Sequence, residues 1–516
     1  MISLNLAKRI PQISASKMAL RSSSNFKGFV ETQNFINGER CKPITSTNTY
    51  ENLNPAYGTS VGKFGLSNKD DVNKAVQSSL EAYKKWKDTT SSERSAILRK
   101  AALILDQNKD DLAVMETIDT GKTITESGYD VDSVVEALNY FASLSYNLNG
   151  EQIPVSPKVL SYTVREPLGV CAGIGAWNFP ISNIAWKTLP ALICGNTFVY
   201  KPSPFTPSTS TAFAEIMSMA GLPAGVLNVV QGEGDVGAAL CDHADVAKVS
   251  FTGSIATGSK VMAACAPSIK KITLEMGGKS PLIIFDDADL DNAVQGALMA
   301  NYVTQGEVCS NAARVYVHED IFDEFLKKTE HAVRNLKIGD TMDKSATIGA
   351  LISQEHYDKV SGFIERAKKE GAHVVCGGEK VDFGAGSSNN NGYYLSPCLM
   401  DNCTDDMEII REEHFGPVMC LLKFRDESDV IKRANNTNTG LSGGVFSKDI
   451  SRAHRVIRKL NAGACYINTY NMYPIQIPFG GHKRSGFGSE NSTTVLNHYT
   501  QLKSVYVELG DVDTIF

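Results

Sequence analysis

Val246-Ala-Lys-Val-Ser-Phe-Thr-Gly-Ser-Ile-Ala-Thr-Gly258 reads as a short strand, a glycine-marked turn and the opening of a helix. The same alternation surrounds it. Upstream, the apolar runs Val170-Cys-Ala-Gly-Ile174, Thr197-Phe-Val-Tyr200 and Val226-Leu-Asn-Val-Val230 are separated by helix-like segments at 183–192 and 209–220. Downstream, Pro281-Leu-Ile-Ile-Phe285 and Arg314-Val-Tyr-Val317 begin a second series, followed by a helical stretch at 321–336. Strands that alternate with helices must cross over to pair in parallel, so the chain is α/β with doubly wound sheets. Residues 72–147 read as mostly helical instead, with Ala75, Ala82 and Trp86 sharing a face.

Between the two series lies Thr273-Leu-Glu-Met-Gly-Gly-Lys-Ser-Pro281, and 34 positions after Glu275 comes Cys309, in Gly306-Glu-Val-Cys-Ser-Asn311. A thiol and a carboxylate that converge are the parts required for covalent catalysis through a thioester. Most intracellular cysteines are only small buried hydrophobes. The paired glycines at 277 and 278, and Gly306 just before the thiol, favour the chemical reading. Gly253, Ser254 and Gly258 would let backbone approach a pyrophosphate at a helix N-terminus. This is not GxGxxG, and many ordinary strand–helix turns carry two glycines.

Bulk properties exclude several classes. At 516 residues the chain exceeds one ordinary core. A net charge of −6 argues against a nucleic-acid partner. Nine histidines without ligand spacing and eleven scattered cysteines suggest no metal, no disulfide framework and a reducing compartment. The most apolar long stretch, 168–194, contains Asn178, Pro180, Asn183, Lys187 and Pro190, so no membrane span is expected. Residues 1–26 hold Lys8, Arg9, Lys17, Arg21 and six serines, with no acid before Glu31. That composition fits either a mitochondrial presequence or a frayed tail, leaving cytoplasm and mitochondrial matrix both open.

Glu275-Met-Gly-Gly-Lys279 and Gly306-Glu-Val-Cys309 resemble the two signature segments of the aldehyde dehydrogenase family, and the similarity runs from about residue 30 to the C-terminus. Lys201-Pro-Ser-Pro-Phe-Thr-Pro207 and the tail Val507-Glu-Leu-Gly-Asp511 narrow it to the branch that oxidises betaine-type and amino aldehydes. The resemblance implies two Rossmann-like domains and a small β oligomerisation domain. It assigns 27–145 and 166–276 to NAD binding, 277–482 to catalysis, and 146–165 with 483–516 to assembly as a homotetramer. It makes Cys309 the nucleophile, Asn178 an oxyanion donor and Glu275 the hydrolytic base, with Lys187 and Glu490 as a proton path. NAD would be held by Trp177, Lys201, Gly253, Ser254, Gly258, Gly277, Glu413 and Phe415.

Read without the resemblance, Asn178 before Phe-Pro is a turn residue, and Lys187 and Glu490 are surface charges. Many NAD-preferring relatives carry an acid three residues after the lysine, whereas position 204 here is proline, which leaves no strong barrier to NADP. Phe179, Trp186, Tyr470, Tyr473 and Phe479 would line the substrate pocket as an aromatic cage for a quaternary ammonium. Alternatively they are core residues. Glu307, Asp130 and Asp132 would add negative charge at the pocket. No arginine near Cys309 is free to bind a carboxylate tail, since Arg314 begins a strand. The expected activity is NAD-dependent oxidation of ω-amino or trimethylammonio aldehydes to acids. A broad aliphatic or semialdehyde dehydrogenase is the alternative, and a catalytically silent relative the alternative from another class.

Overall fold

In a computed structural model, which describes residues 33–44 and 48–516, two separate sheets carry most of the chain. The first has eight strands in the order Glu39–Cys41, Asn34–Ile36, Leu227–Val229, Thr197–Lys201, Val170–Ile174, Val246–Gly253, Lys271–Met276 and Gly486–Phe487. The five central strands are mutually parallel, and Val170–Ile174 and Thr197–Lys201 are buried throughout. Helices covering both faces explain why these strands read as unbroken apolar runs. Ser91–Gln107, Ile124–Leu144, Pro180–Ile193 and Ser208–Met219 pack on one face. Lys69–Trp86, Gly234–Asp242 and Ile255–Cys265 pack on the other.

The second sheet has seven strands: His373–Cys376, Cys398–Asp401, Val418–Phe424, Arg314–His318, Pro281–Ile284, Ser442–Phe446 and Ala464–Ile467. All are parallel except the first. The α/β class with two doubly wound sheets is therefore borne out. The expected helical region at 72–147 resolves into four helices, because capping residues interrupt it. Asn68, Thr90 and Thr123 each form a reciprocal capping box with an acid three residues on.

Strand Thr500–Glu508 pairs antiparallel with Val159–Pro167 over nine residues, forming a ribbon with Leu160, Tyr162, Val164, Leu502 and Tyr506 exposed. One part of the C-terminal segment behaves differently from the assembly role expected of it. Gly486–Phe487 joins the edge of the first sheet, opposite Leu274 and Glu275. The N-terminal stretch 1–26 lies outside the described residues. Among the described residues, no helix is long and apolar enough to cross a membrane.

The chain passes from the first sheet to the second through the four residues between Met276 and Pro281. Ser485 locks this crossing: its carbonyl accepts from Met276 N at 2.9 Å, and its hydroxyl donates to the Gly277 carbonyl at 3.0 Å.

The Asn68 capping box supplies a local test of the helical face. Asn68→Ala should remove about 1 kcal/mol from the first turn of Lys69–Trp86, seen as faster hydrogen exchange over residues 69–75. Asn68→Asp should restore slow exchange, and unchanged exchange in the alanine variant would contradict the capping role.

Candidate active site

The loop that carries Cys309 is strained before it reaches the thiol. Helix Leu290–Tyr302 is followed by three consecutive left-handed residues: Thr304 (φ 51°), Gln305 (φ 43°) and Gly306 (φ 76°). For the two non-glycine residues this costs about 1–2 kcal/mol each. Gly306 is required by close approach, since a Cβ there would lie 2.2 Å from the backbone of Gly416. Surrounding groups hold the turn. Thr304 N donates to Glu126 Oε1 at 2.7 Å, Gln305 Nε2 to Glu307 Oε2 at 3.0 Å, and Asn311 Nδ2 to the Gly306 carbonyl at 3.1 Å.

Cys309 is only partly exposed. Burial pushes its thiol up to about 12, and the negative charges of Glu413 and Glu275 act in the same direction. The backbone N–H groups of Cys309 and Ser310 oppose the shift, as donors to the sulfur would. In this resting arrangement the sulfur is a thiol at neutral pH.

Glu275, the last residue but one of its strand, is in register with Thr252 on one side and Gly486 on the other. Its side chain is buried, and neither carboxyl oxygen has a hydrogen-bond partner among the described residues. Burial raises it well above the ordinary carboxylate range; Glu490 adds to the shift, and Lys187 opposes it. Glu490 and Lys187 form a short ion pair, both buried, and Lys187 Nζ also donates to Ser250 Oγ at 3.2 Å. The reading of this pair as surface charges is therefore overturned. The pair occupies the low-dielectric space behind Glu275, where it is shielded from solvent competition.

Asn178 is buried, and its Nδ2 donates to the Glu307 carbonyl at 2.9 Å, two residues from the thiol. Its own carbonyl accepts from Lys122 Nζ at 2.8 Å. Asn178 is thus more than a turn residue, because its amide is bonded to the loop that carries Cys309.

Trp177, Lys201, Gly253, Ser254, Gly258 and Gly277 sit at or just beyond the C-terminal ends of parallel strands of the first sheet, where ligands of such sheets bind, while Glu413 and Phe415 come from the segment before Val418–Phe424 of the second. Gly253 ends the strand Val246–Gly253, and Ser254 caps helix Ile255–Cys265, its hydroxyl accepting from Thr257 N at 3.2 Å. Gly258 packs against Met276. Lys201 is buried, with one hydrogen bond, to the Pro202 carbonyl at 2.8 Å; burial lowers its ammonium to about 8, against the pull of Asp235 and Glu233. A buried ammonium with donors to spare, beside a helix N-terminus, fits a ribose and phosphate ligand.

Gly277 has no room for a side chain, because a Cβ would fall 2.0 Å from Glu413 Oε1. Burial raises Glu413 to about 7, with Lys359 and Lys279 opposing. Phe415 adopts φ 58°, its carbonyl bound by His356 Nε2 at 2.7 Å, and Trp177 meets its ring edge-on at 5.3 Å.

The five aromatic candidates divide. Trp186, Phe479 and Tyr473 form a continuous wall, with edge-on contacts at 6.1 and 5.4 Å. Tyr470 is fully buried, and its hydroxyl donates to the Ser310 carbonyl at 3.1 Å, so it supports the loop. Phe179 already faces a cation, the Lys122 ammonium, 4.2 Å from its ring centre. The expected acidic rim is corrected too. Glu307 is buried, accepting from Ile352 N at 3.0 Å and from Gln305; Asp130 pairs with Lys122, and Asp132 with Lys109. Arg314 is fully engaged with the carbonyls of Lys279, Arg433 and Ala434.

Lys122, Glu126, His356 and Asn471 went unnoticed in the sequence. Asn471 bonds both Ser310 and Asn311, and burial lowers His356 to about 4, keeping the imidazole neutral. Their signal is weak: only the spacing of Lys122, Glu126 and Asp130 by four hints that charges share a face.

The aldehyde dehydrogenase family profile matches residues 44–505. The 4-trimethylaminobutyraldehyde dehydrogenase of Bos taurus is 48% identical over 490 residues, covering 95% of this chain and 99% of its own. A betaine aldehyde dehydrogenase from Staphylococcus aureus, solved in complex with NAD+, has a TM-score of 0.91 at 36% identity, over 94% of this chain and 97% of that one. An E. coli NADP dependent enzyme has a TM-score of 0.90 at 37% identity, over 93% of this chain and 99% of that one.

The raised thiol predicts the behaviour of Cys309 toward iodoacetamide without cofactor. A group whose pKa lies near 12 gains about tenfold in thiolate per pH unit, so alkylation measured by peptide mass should climb steadily from pH 7 to 10. A plateau near neutral pH would contradict the assignment.

Proposed function

The chain belongs to the aldehyde dehydrogenase family, and we propose that Cys309, Asn178 and Glu275 carry out its oxidation of aldehydes to carboxylic acids. The observation that carries this reading is a buried thiol within electrostatic reach of Glu275 and Glu413, with the Asn178 amide bonded two residues away. Cys309 passes its proton to Glu275 as its sulfur attacks the aldehyde carbon, forming a C–S bond and a tetrahedral oxyanion. The Asn178 Nδ2 and the backbone N–H of Cys309 stabilise that oxyanion; each such donor contributes about 10²–10³ in rate.

NAD supplies the hydride acceptor when bound. Lys201, Gly253, Ser254 and Gly258 would hold its adenosine and pyrophosphate part, and Gly277, Glu413, Phe415 and Trp177 the nicotinamide part. Glu275 then takes one proton from water, whose oxygen attacks the thioester; the C–S bond breaks and the second proton goes to the sulfur, releasing the carboxylate and the Cys309 thiol. A carboxyl already raised by burial is matched to that task near neutral pH. Lys187 and Glu490 would pass the proton onward, consistent with their burial directly behind Glu275.

For substrate we propose 4-trimethylaminobutyraldehyde and related amino or betaine aldehydes. The names of the similar dehydrogenases support this, as does the wall of Trp186, Phe479 and Tyr473, whose ring faces attract an ammonium by about 0.5–2 kcal/mol. A broader aliphatic specificity is the second reading. It is favoured by the internal pairing of Glu307 and Asp130, which leaves the wall without its expected acids. A carboxylate-tailed semialdehyde fits poorly, because Arg314 is committed elsewhere. The exposed apolar ribbon 159–167 and 500–508 supports a homotetramer, and eleven free cysteines support a reducing compartment, cytoplasm or mitochondrial matrix.

Comparing NADH formation with 4-trimethylaminobutyraldehyde, hexanal and succinate semialdehyde tests the reading. The cationic aldehyde should lead in kcat/KM, and Trp186→Ala should reduce that lead by roughly 2–30-fold. Preference for hexanal would install the aliphatic reading, and full turnover by Cys309→Ala would remove the nucleophile.

A further inference from the structure

The entry to helix Ile124–Leu144 turns three charged side chains toward the site. Lys122 Nζ, fully buried, binds the Asn178 carbonyl and Asp130 and lies over the Phe179 ring. Glu126 Oε1 accepts from Thr304 N at 2.7 Å, while Oε2 closes the capping box on Thr123. One short segment therefore grips both the strand–helix turn bearing Asn178 and the turn that precedes Cys309. These turns are themselves joined by the bond from Asn178 Nδ2 to the Glu307 carbonyl.

Building on the aldehyde dehydrogenase reading above, we propose that Glu126 is a positioning residue for this reaction. Its carboxylate holds the left-handed turn 304–306, and so sets Cys309 and its N–H against the Asn178 amide. Thr304 and Gln305 have no intrinsic preference for that conformation. The remaining restraints act within or after the turn, from Glu307 N to the Thr304 carbonyl at 2.8 Å, from Gln305 to Glu307, at Gly306 against Gly416 and at Asn311, so that Glu126 supplies the hydrogen bond that reaches Thr304 from another element. Without the acceptor, Thr304 can return to the right-handed region and carry the thiol with it. A displacement of about 1 Å at reacting atoms can cost about 10²-fold in rate.

The needed property is an acceptor oxygen, not a charge, so the variants separate cleanly. Glu126→Ala should lower kcat by at least about tenfold with KM for NAD changed by less than about twofold. Glu126→Gln, which keeps its one oxygen for Thr304 N–H, turns its amide nitrogen to the Thr123 hydroxyl and gives up only the 3.4 Å bond from Thr123 N, should stay within about threefold of the parent. Thr304→Gly, which makes the left-handed state accessible, should restore at least about threefold of the lost kcat in the alanine background. Glutamine as impaired as alanine, or alanine keeping more than half of kcat, would overturn the proposal. Should Glu126→Ala fail to fold, Glu126→Asp withdraws the carboxylate by one methylene and must show the same loss; unchanged kcat there would overturn it equally. The iodoacetamide rate at Cys309 reads the turn without turnover: alanine should shift it and glutamine should not, whereas equal rates in both would count against Glu126. Inactivity of the parent toward every aldehyde would instead sink the functional reading, with the alkylation comparison still standing.

Discussion

The crossing of the chain between the two sheets, in the four residues after Met276, is the constraint on which the rest of the site depends. Glu275 is the last residue but one of strand Lys271–Met276 in the first sheet, and Pro281 is the first of the second. So short a crossing fixes Glu275 at the junction. The carboxylate of Glu413 fills the place a side chain at 277 would need, and the Ser485 hydroxyl ties down the Gly277 carbonyl. Cys309 then reaches the same junction from the second sheet, after helix Leu290–Tyr302 and the strained turn. The two sheets, joined by this short crossing and again by the return of the chain to Gly486–Phe487, bring Cys309 and Glu275 to one junction.

Burial sets the electrostatics of that junction. Glu275, Glu413 and Cys309 all sit where burial makes a negative charge expensive, and the charges of Glu413 and Glu275 further hold Cys309 protonated. A resting enzyme with a neutral thiol is protected from adventitious oxidation, since the thiolate is the reactive form. Positive groups are kept one layer back. Lys187 is paired with Glu490 behind the base, and Lys122 with Asp130 behind Asn178. Such pairs contribute little net stability, yet removing one partner would leave an uncompensated buried charge, so they fix geometry firmly.

Much of this was legible in the chain. Unbroken apolar runs such as Val170–Ile174 announced parallel strands, because both faces of the sheet are covered. The glycines around Glu275 and Cys309 announced close backbone approach. What remained hidden depended on side chains from distant elements choosing partners. Glu307 looked like a pocket acid from its position beside Cys309, but Ile352 N–H and Gln305 claim its oxygens. Tyr470 and Phe179 looked like cage walls, but one serves the Ser310 carbonyl and the other the Lys122 ammonium. Lys187 and Glu490, 303 positions apart, looked like separate surface charges until the fold buried them as a pair.

The central claim is that Cys309 becomes acylated and that Glu275 is the group that frees it. Rapid acid quench of Glu275→Gln enzyme after one turnover with NAD and aldehyde, followed by peptide mass spectrometry, tests both halves together. The account predicts that the acyl group persists on the peptide containing Cys309 in the variant and is lost from the parent. An unmodified Cys309 peptide in the variant after stoichiometric NADH release, or an acyl group that leaves at the parent's rate, would contradict it.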